Sequence, residues 1–142
     1  MPRKNDGSLG NVLASMDRVK AEARAAVMES LLKGATHIAV TARTFAPVDS
    51  GDLRDSIEVT PPGTHTPPFS QPGGSRVAGE TEVIITAGNE DVRYAHLQEY
   101  GTSNTEAQPF FWPAYRLNAQ KVKRNAANLF KRRIKKAWKG QQ

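Results

Sequence analysis

Proline placement constrains this chain more than any other feature. Of nine prolines, five crowd into residues 61–72, and none lies between Pro2 and Pro47 or after Pro113. Proline removes a backbone donor and clashes with the preceding helical turn, so long helices fit only on either side of that zone. Residues 61–80 add Gly63, Gly73, Gly74 and Gly79 to Pro61, Pro62, Pro67, Pro68 and Pro72. That composition predicts no packed element there, but a long mobile loop between two strands.

The proline-free flanks carry helical periodicity. From about Ser8 to Phe45, Leu9, Val12, Leu13, Met16, Val19, Ala23, Val27, Leu31, Ala35, Ile38 and Ala42 recur mostly at spacings of three and four. Asp6 or Ser8 can cap this helix, and Pro47 forces its end by steering residue 46 away from helical angles. Gly34 and the β-branched residues around it predict a kink or break. The last helix is predicted from Pro113 to about Trp138, roughly 39 Å at ~1.5 Å per residue. Its apolar stripe reads Tyr115, Leu117, Val122, Ala126, Leu129, Phe130, Ile134, Ala137 and Trp138.

Between the flanks, Asp49-Ser50-Gly51 is a turn signal before a single helical turn reaching Asp55. Ile57–Thr60 and Glu82–Ala87 read as strands, and 92–102 as a short helix stopped at Gly101 in a left-handed cap. The expected fold is α+β and a single domain over 1–142. A long N-terminal helix and a long basic C-terminal helix enclose a small antiparallel sheet whose 61–80 loop protrudes. Residues 1–8 are expected as a flexible arm and 139–142 as a flexible tail.

Apolar residues make up 38%, below the roughly 45–50% usual in globular domains. Part of the chain is therefore expected to be extended, or completed by neighbouring subunits. The absence of cysteine excludes disulfide scaffolds, Cys-ligated zinc and thiol catalysis. The polar start and the lack of ~18 consecutive apolar residues predict a soluble protein made in a cytoplasm, without membrane contact.

A search for chemistry finds little. His96 and Glu99 stand three apart, a spacing that can share a metal, but no third ligand is apparent. Asp49, Asp52 and Asp55 lack the alternate-residue ligands and terminal Glu of a calcium loop. Ser50 and Ser56 have no histidine near them in sequence, and the glycine-rich 72–76 segment leads into no P-loop lysine. No catalytic, cofactor or metal site is expected, and the chain is read as a non-enzyme.

Charge is the sharper signal. Residues 1–106 hold 10 basic and 14 acidic side chains, whereas 107–142 hold 10 basic and none acidic. Lys121, Lys123, Arg124, Lys131, Arg132, Arg133, Lys135, Lys136 and Lys139 form the candidate contact surface. Phosphate-backbone contact, docking onto an acidic protein surface and a merely solvated face all remain open. No base-reading motif accompanies these residues.

Three motifs follow one another along the chain. The first falls on Pro47, Val48, Asp49, Gly51, Leu53, Arg54, Ser56 and Ile57. Tyr94, Ala95, Glu99, Tyr100, Gly101 and Thr102 carry the second; Pro109, Phe110, Pro113 and Ala114 carry the third. Together and in this order they resemble the minor tail-component family of long-tailed phages, the tail-terminator or tail-completion proteins with relatives in gene transfer agents. Among the motif residues, Leu53 and Ile57 are expected to face inward, Arg54 to pair with an acid such as Glu99, and Tyr94 and Tyr100 to cover the sheet. The resemblance implies a structural virion protein of the head–tail neck, assembled in the host cytoplasm. In that role a self-associated ring, commonly a homohexamer, caps the tail tube and meets the tail tube protein and the head-side connector or stopper protein. A head-closure (stopper) or adaptor ring under the portal is the alternative. From another class comes a nonspecific nucleic-acid-binding protein, with packaged DNA as the contact of the basic helix.

Overall fold

The computed structural model describes residues 4–48 and 51–139. The elements follow in the order α1 (Lys4–Phe45), α2 (Asp52–Asp55), β1 (Glu58–Thr60), β2 (Ile84–Thr86), α3 (Ala95–Tyr100) and α4 (Phe111–Lys139). The architecture is α+β and mostly helical, with a long helix at each end and a two-stranded antiparallel sheet between them. Residues 1–3 of the expected arm, 140–142 of the expected tail, and Asp49 and Ser50 lie outside the described residues.

The first helix starts at Lys4 rather than near Ser8 and runs unbroken through Gly34. The predicted break is absent for a packing reason. A Cβ at Gly34 would overlap Val122 Cγ1, so the bare glycine lets α4 approach there. The two helices are antiparallel. Thr41 meets Asn118, Gly34 meets Val122, and Glu29 and Glu22 meet Arg133.

With 42 residues α1 is roughly 63 Å long, and α4 with 29 is roughly 43 Å. The excess leaves the first turns of α1 projecting past the end of α4. Leu9, Val12, Leu13 and Met16 are exposed there, each to half or more of its surface.

The core lies at the opposite end of α1. Ala39, Ala42, Ala46, Leu53, Ile57, Ala87, Val92, Ala95, Phe110 and Ala114 are buried together, with Val59, Ile85 and Phe111 packed against them. Alanines on α1 keep the helix surface shallow, so the sheet and the start of α4 come close. The register pairs Glu58 with Thr86, Val59 with Ile85 and Thr60 with Ile84. Val59 and Ile85 face the core, so strand alternation sends Thr60, Ile84 and Thr86 to the other face. These three are buried as well, so both faces of the sheet are covered.

Residues 61–80, expected as a mobile protruding loop, contain no helix or strand longer than a bridge, yet they are hydrogen-bonded along their length. His65 bridges Val77 and Gln71 bridges Ala87, while Thr66, Ser70 and Ala78 are buried. Arg76 forms a bidentate pair with Glu82 at 3.1 and 2.9 Å, and the Gly79 N–H donates to the same carboxylate at 3.0 Å. The Arg76 hydrogen bond, reinforced by the Gly79 N–H, holds the Glu82 carboxyl below the usual glutamate range.

The apolar stripe predicted for α4 is only partly its buried face. Val122, Ala126 and Leu129 are half-buried, but Leu117 is 66% exposed and Trp138 54%. The buried residues of α4 are Ala114 and Asn118. Asn118 suits a helix interface because its Nδ2 donates to Thr41 Oγ1 at 3.0 Å and to the Ala114 carbonyl at 2.9 Å.

Candidate functional site

Two of the three sequence motifs meet at the junction of α3 and α4. Glu99, only 8% exposed, points its carboxylate at the start of α4. Oε2 accepts the N–H groups of Phe110 (2.8 Å) and Phe111 (2.9 Å), and Oε1 accepts that of Trp112 (3.0 Å). The first N–H groups of a helix have no partner within the helix, and the helix dipole favours an anion there. Glu99 thus caps α4 from a neighbouring helix, and its oxygens are occupied by backbone.

The expected Glu99–Arg54 pair does not form. Arg54 instead donates from Nε to the Arg43 carbonyl at 3.0 Å, and Arg43 Nη2 donates to the Ile57 carbonyl at 2.7 Å. Arg54 sits on the short turn beside the end of α1, where free carbonyls are the acceptors within reach.

The remaining motif residues hold turns and helix ends. Gly51, at φ 86°, precedes α2 in a left-handed conformation, and Leu53 and Ile57 are buried. Ser56 Oγ donates to the Leu53 carbonyl and accepts the Gly88 N–H, tying α2 to the end of β2. Ala95 is buried, whereas Tyr94 and Tyr100 are 40% and 69% exposed. The Tyr100 hydroxyl accepts from Trp112 Nε1 at 2.7 Å.

Gly101 ends α3 with φ 76° and ψ 177°, an extended positive-φ conformation rather than the left-handed one expected. Thr102 Oγ1 accepts the N–H groups of Asn104 and Thr105. Pro113 lies in the first turn of α4, and Pro109 precedes it. Phe110 is fully buried, and edge-to-face contacts run from it through Phe111 and Trp112 to Tyr115 at 5.7–6.4 Å.

The basic residues of α4 divide by face. Arg133 pairs with Glu29 and, at 3.6 Å, with Glu22, clamping α4 to α1. Glu29 also takes Lys33 at 3.1 Å. The hydrogen bond from Lys33, and then the charge of Arg133, hold the Glu29 carboxyl below the usual glutamate range.

Lys121 and Arg132 line a cavity of about 340 Å³ between the two helices, facing Lys33 and His37 of α1. Lys123, Arg124, Lys131, Lys135, Lys136 and Lys139 are exposed. The α1 wall of this cavity was not read from sequence, because Ser30, Lys33 and His37 are separated from α4 by the whole middle of the chain. Neither His96 nor any other group gathers three or more His, Cys, Asp or Glu side chains among the described residues. No described helix is long and apolar enough to cross a membrane.

The chain thus combines an overhanging helical arm, a compact core and a last helix without acidic side chains. The sequence matches over residues 11–101 the model of a family, HK97-gp10-like, described as "Bacteriophage HK97-gp10, putative tail-component". The match covers well over half of the chain, and the protein belongs to this family of phage tail components. No curated protein and no solved structure matches it significantly.

Proposed function

We propose that this chain is a tail terminator: one protomer of a homohexameric ring at the head–tail neck that caps the tail tube and presents the surface to which the head-side connector docks. Family membership supports a virion tail component, and one structural observation carries the ring. Along α1 the residues Ala23, Ala26 and Ser30 are covered in the pairing with α4, and Leu9, Val12 and Met16 continue that spacing of three and four without cover. Exposed apolar side chains in a row mark a contact surface. A neighbouring copy that covers them supplies what the chain's own α4 is too short to reach. Such contacts, repeated head to tail around a closed cycle, give a ring.

The experiment is electron microscopy of lysates from a producer lacking only this gene. Filled heads beside detached tails of abnormal, variable length are the expected result. Normal-length free tails beside emptied heads would move the protein to a head-closure or adaptor ring. Intact, infectious particles would overturn both.

A further inference from the structure

We propose that the groove between α1 and α4 is a binding site for the phosphodiester backbone of a nucleic acid strand. The cavity of about 340 Å³ carries His37 and Lys33, the latter paired with Glu29 at 3.1 Å, on its α1 wall and Lys121, Asn125 and Arg132 on its α4 wall, with no acidic side chain lining it. Among the described residues, neither Lys121 nor Arg132 makes an ion pair. Ser30, also on the wall, is only 8% exposed, and its hydroxyl has no hydrogen-bond partner. A buried hydroxyl left unpaired is costly, and it is a donor that an oxyanion satisfies.

The cations do not form a single point. Lys121, Asn125, Asn128 and Arg132 follow one another at spacings of four, three and four, which places them on one face of α4 over roughly 16 Å. Asn125, Asn128, Lys131 and Arg132 frame a second hollow of about 550 Å³ that shares Asn125 and Arg132 with the first. The site is thus a strip in which two amide side chains, Asn125 and Asn128, lie between Lys121 at one end and Lys131 and Arg132 at the other.

A strip of one sign fits a linear polyanion that repeats its charge at each unit. Carboxylates on a folded protein surface are interspersed with cations, which this strip would repel. Arginine and amide donors both bind phosphate oxygens in a geometry that carries no base information. The apolar floor of Val122, Ala126 and Leu129 keeps water from one side of the contact and so strengthens it. The inference does not depend on a ring, because both walls belong to one chain.

The test is fluorescence anisotropy of a labelled ~20-nucleotide DNA, single-stranded and duplex, with the full-length protein at ~50 mM salt, where phosphate contacts are strong. Lys121→Ala/Arg132→Ala is expected to weaken binding at least tenfold and to flatten the salt dependence by about one to two units of slope. Lys20→Ala/Arg116→Ala removes the same charges from exposed positions outside the groove, and its loss is expected to stay under threefold. Asn125→Asp, which keeps shape and adds a negative charge, should match the groove variant, with circular dichroism melts confirming the fold of each protein.

Equal losses in groove and control variants would reduce the site to diffuse charge and overturn the proposal. Absence of binding by the unaltered protein would do the same. Competition by polyglutamate as effective as by unlabelled DNA would assign the groove to an acidic polypeptide instead. Displacement of the DNA by micromolar inorganic phosphate or a mononucleotide would mean a small-anion site.

Discussion

Gly10 and Gly34 lie on the same helix and meet opposite surroundings. A Cβ added at Gly10 finds no atom within 4 Å, whereas one at Gly34 would strike Val122 on α4. A glycine inside a helix costs about 0.5–1 kcal/mol relative to alanine. At Gly34 that cost is offset by close helix packing; within the single chain nothing offsets it at Gly10. The two ends of α1 therefore answer to different demands. The C-terminal end is fixed by alanines, the sheet and α4, and the N-terminal end presents apolar side chains that the chain itself leaves uncovered.

The largest effect should come from the packed end. Glu99→Ala leaves three helix-start N–H groups without their acceptor, so urea denaturation should show a loss of about 2–4 kcal/mol. A loss under about 0.5 kcal/mol would mean that water replaces the carboxylate there.

The glycines provide the direct contrast. Overpacking costs about 1–3 kcal/mol, and the better helix propensity of alanine returns up to about 1. Gly34→Ala should therefore destabilise by about 1–2 kcal/mol, and Gly34→Ala/Val122→Ala should show coupling in a double-mutant cycle. Gly10→Ala should instead stabilise by about 0.5–1 kcal/mol. If both substitutions stabilised the protein, the close approach of α4 at Gly34 would be wrong.

A smaller effect is expected where the two long helices are clamped by charge. Lys33 and Arg133 lower the Glu29 carboxyl, so over the acid range the folded chain binds fewer protons there than the unfolded chain. That contribution is fully present above the ordinary glutamate value and disappears as pH falls through the lowered one. The Tm of the unaltered protein should exceed that of Glu29→Gln at neutral pH, with the gap closing in acid. A gap independent of pH would assign the difference to something other than this carboxylate.

Least of all should the exposed arm affect the fold. Leu13→Ser/Met16→Ser should leave the Tm within the scatter expected for surface changes, about 0.5 kcal/mol. Analytical ultracentrifugation and microscopy of assembled particles should nevertheless show loss of the proposed ring. A large fall in Tm without any change in assembly would place these side chains in the chain's own core.

Elements with strong local signals were legible in the sequence. Pro47 set the end of α1 near Phe45, Gly101 ended α3, and strand alternation located both strands to within a residue or two. The start of α1 was set too late, because Gly7 and Gly10 dilute the periodicity where the helix has no partner to reveal it. A break was expected at Gly34 because propensity is local, whereas the reason for that glycine lies on α4. The hydrogen bonding within 61–80 was hidden for a related reason: bridges such as Gln71–Ala87 and the Arg76–Glu82 pair do not require regular periodicity.

For the candidate site, the cations of α4 were visible as a run of charge, but their division into a clamp at Arg133 and a groove at Lys121 and Arg132 was not. That division depends on which face of α4 meets α1. Glu99 was singled out by its motif, yet its partner was misjudged, since the irregular 101–109 segment that turns the chain back onto Glu99 carries no periodicity to read.

The sequence by itself determined the two long helices, the small sheet between them and the one-sign charge of the last quarter, because each follows from residue types at short spacing. Only the tertiary structure decided that Glu99 caps α4, that Gly34 is a packing site, and that Ser30, Lys33 and His37 share a cavity with Lys121 and Arg132. The cap depends on the 101–109 segment returning the chain to Glu99. The other two depend on the antiparallel offset of α1 and α4, which is set by packing between residues far apart in the chain. Neither leaves a local periodicity to read.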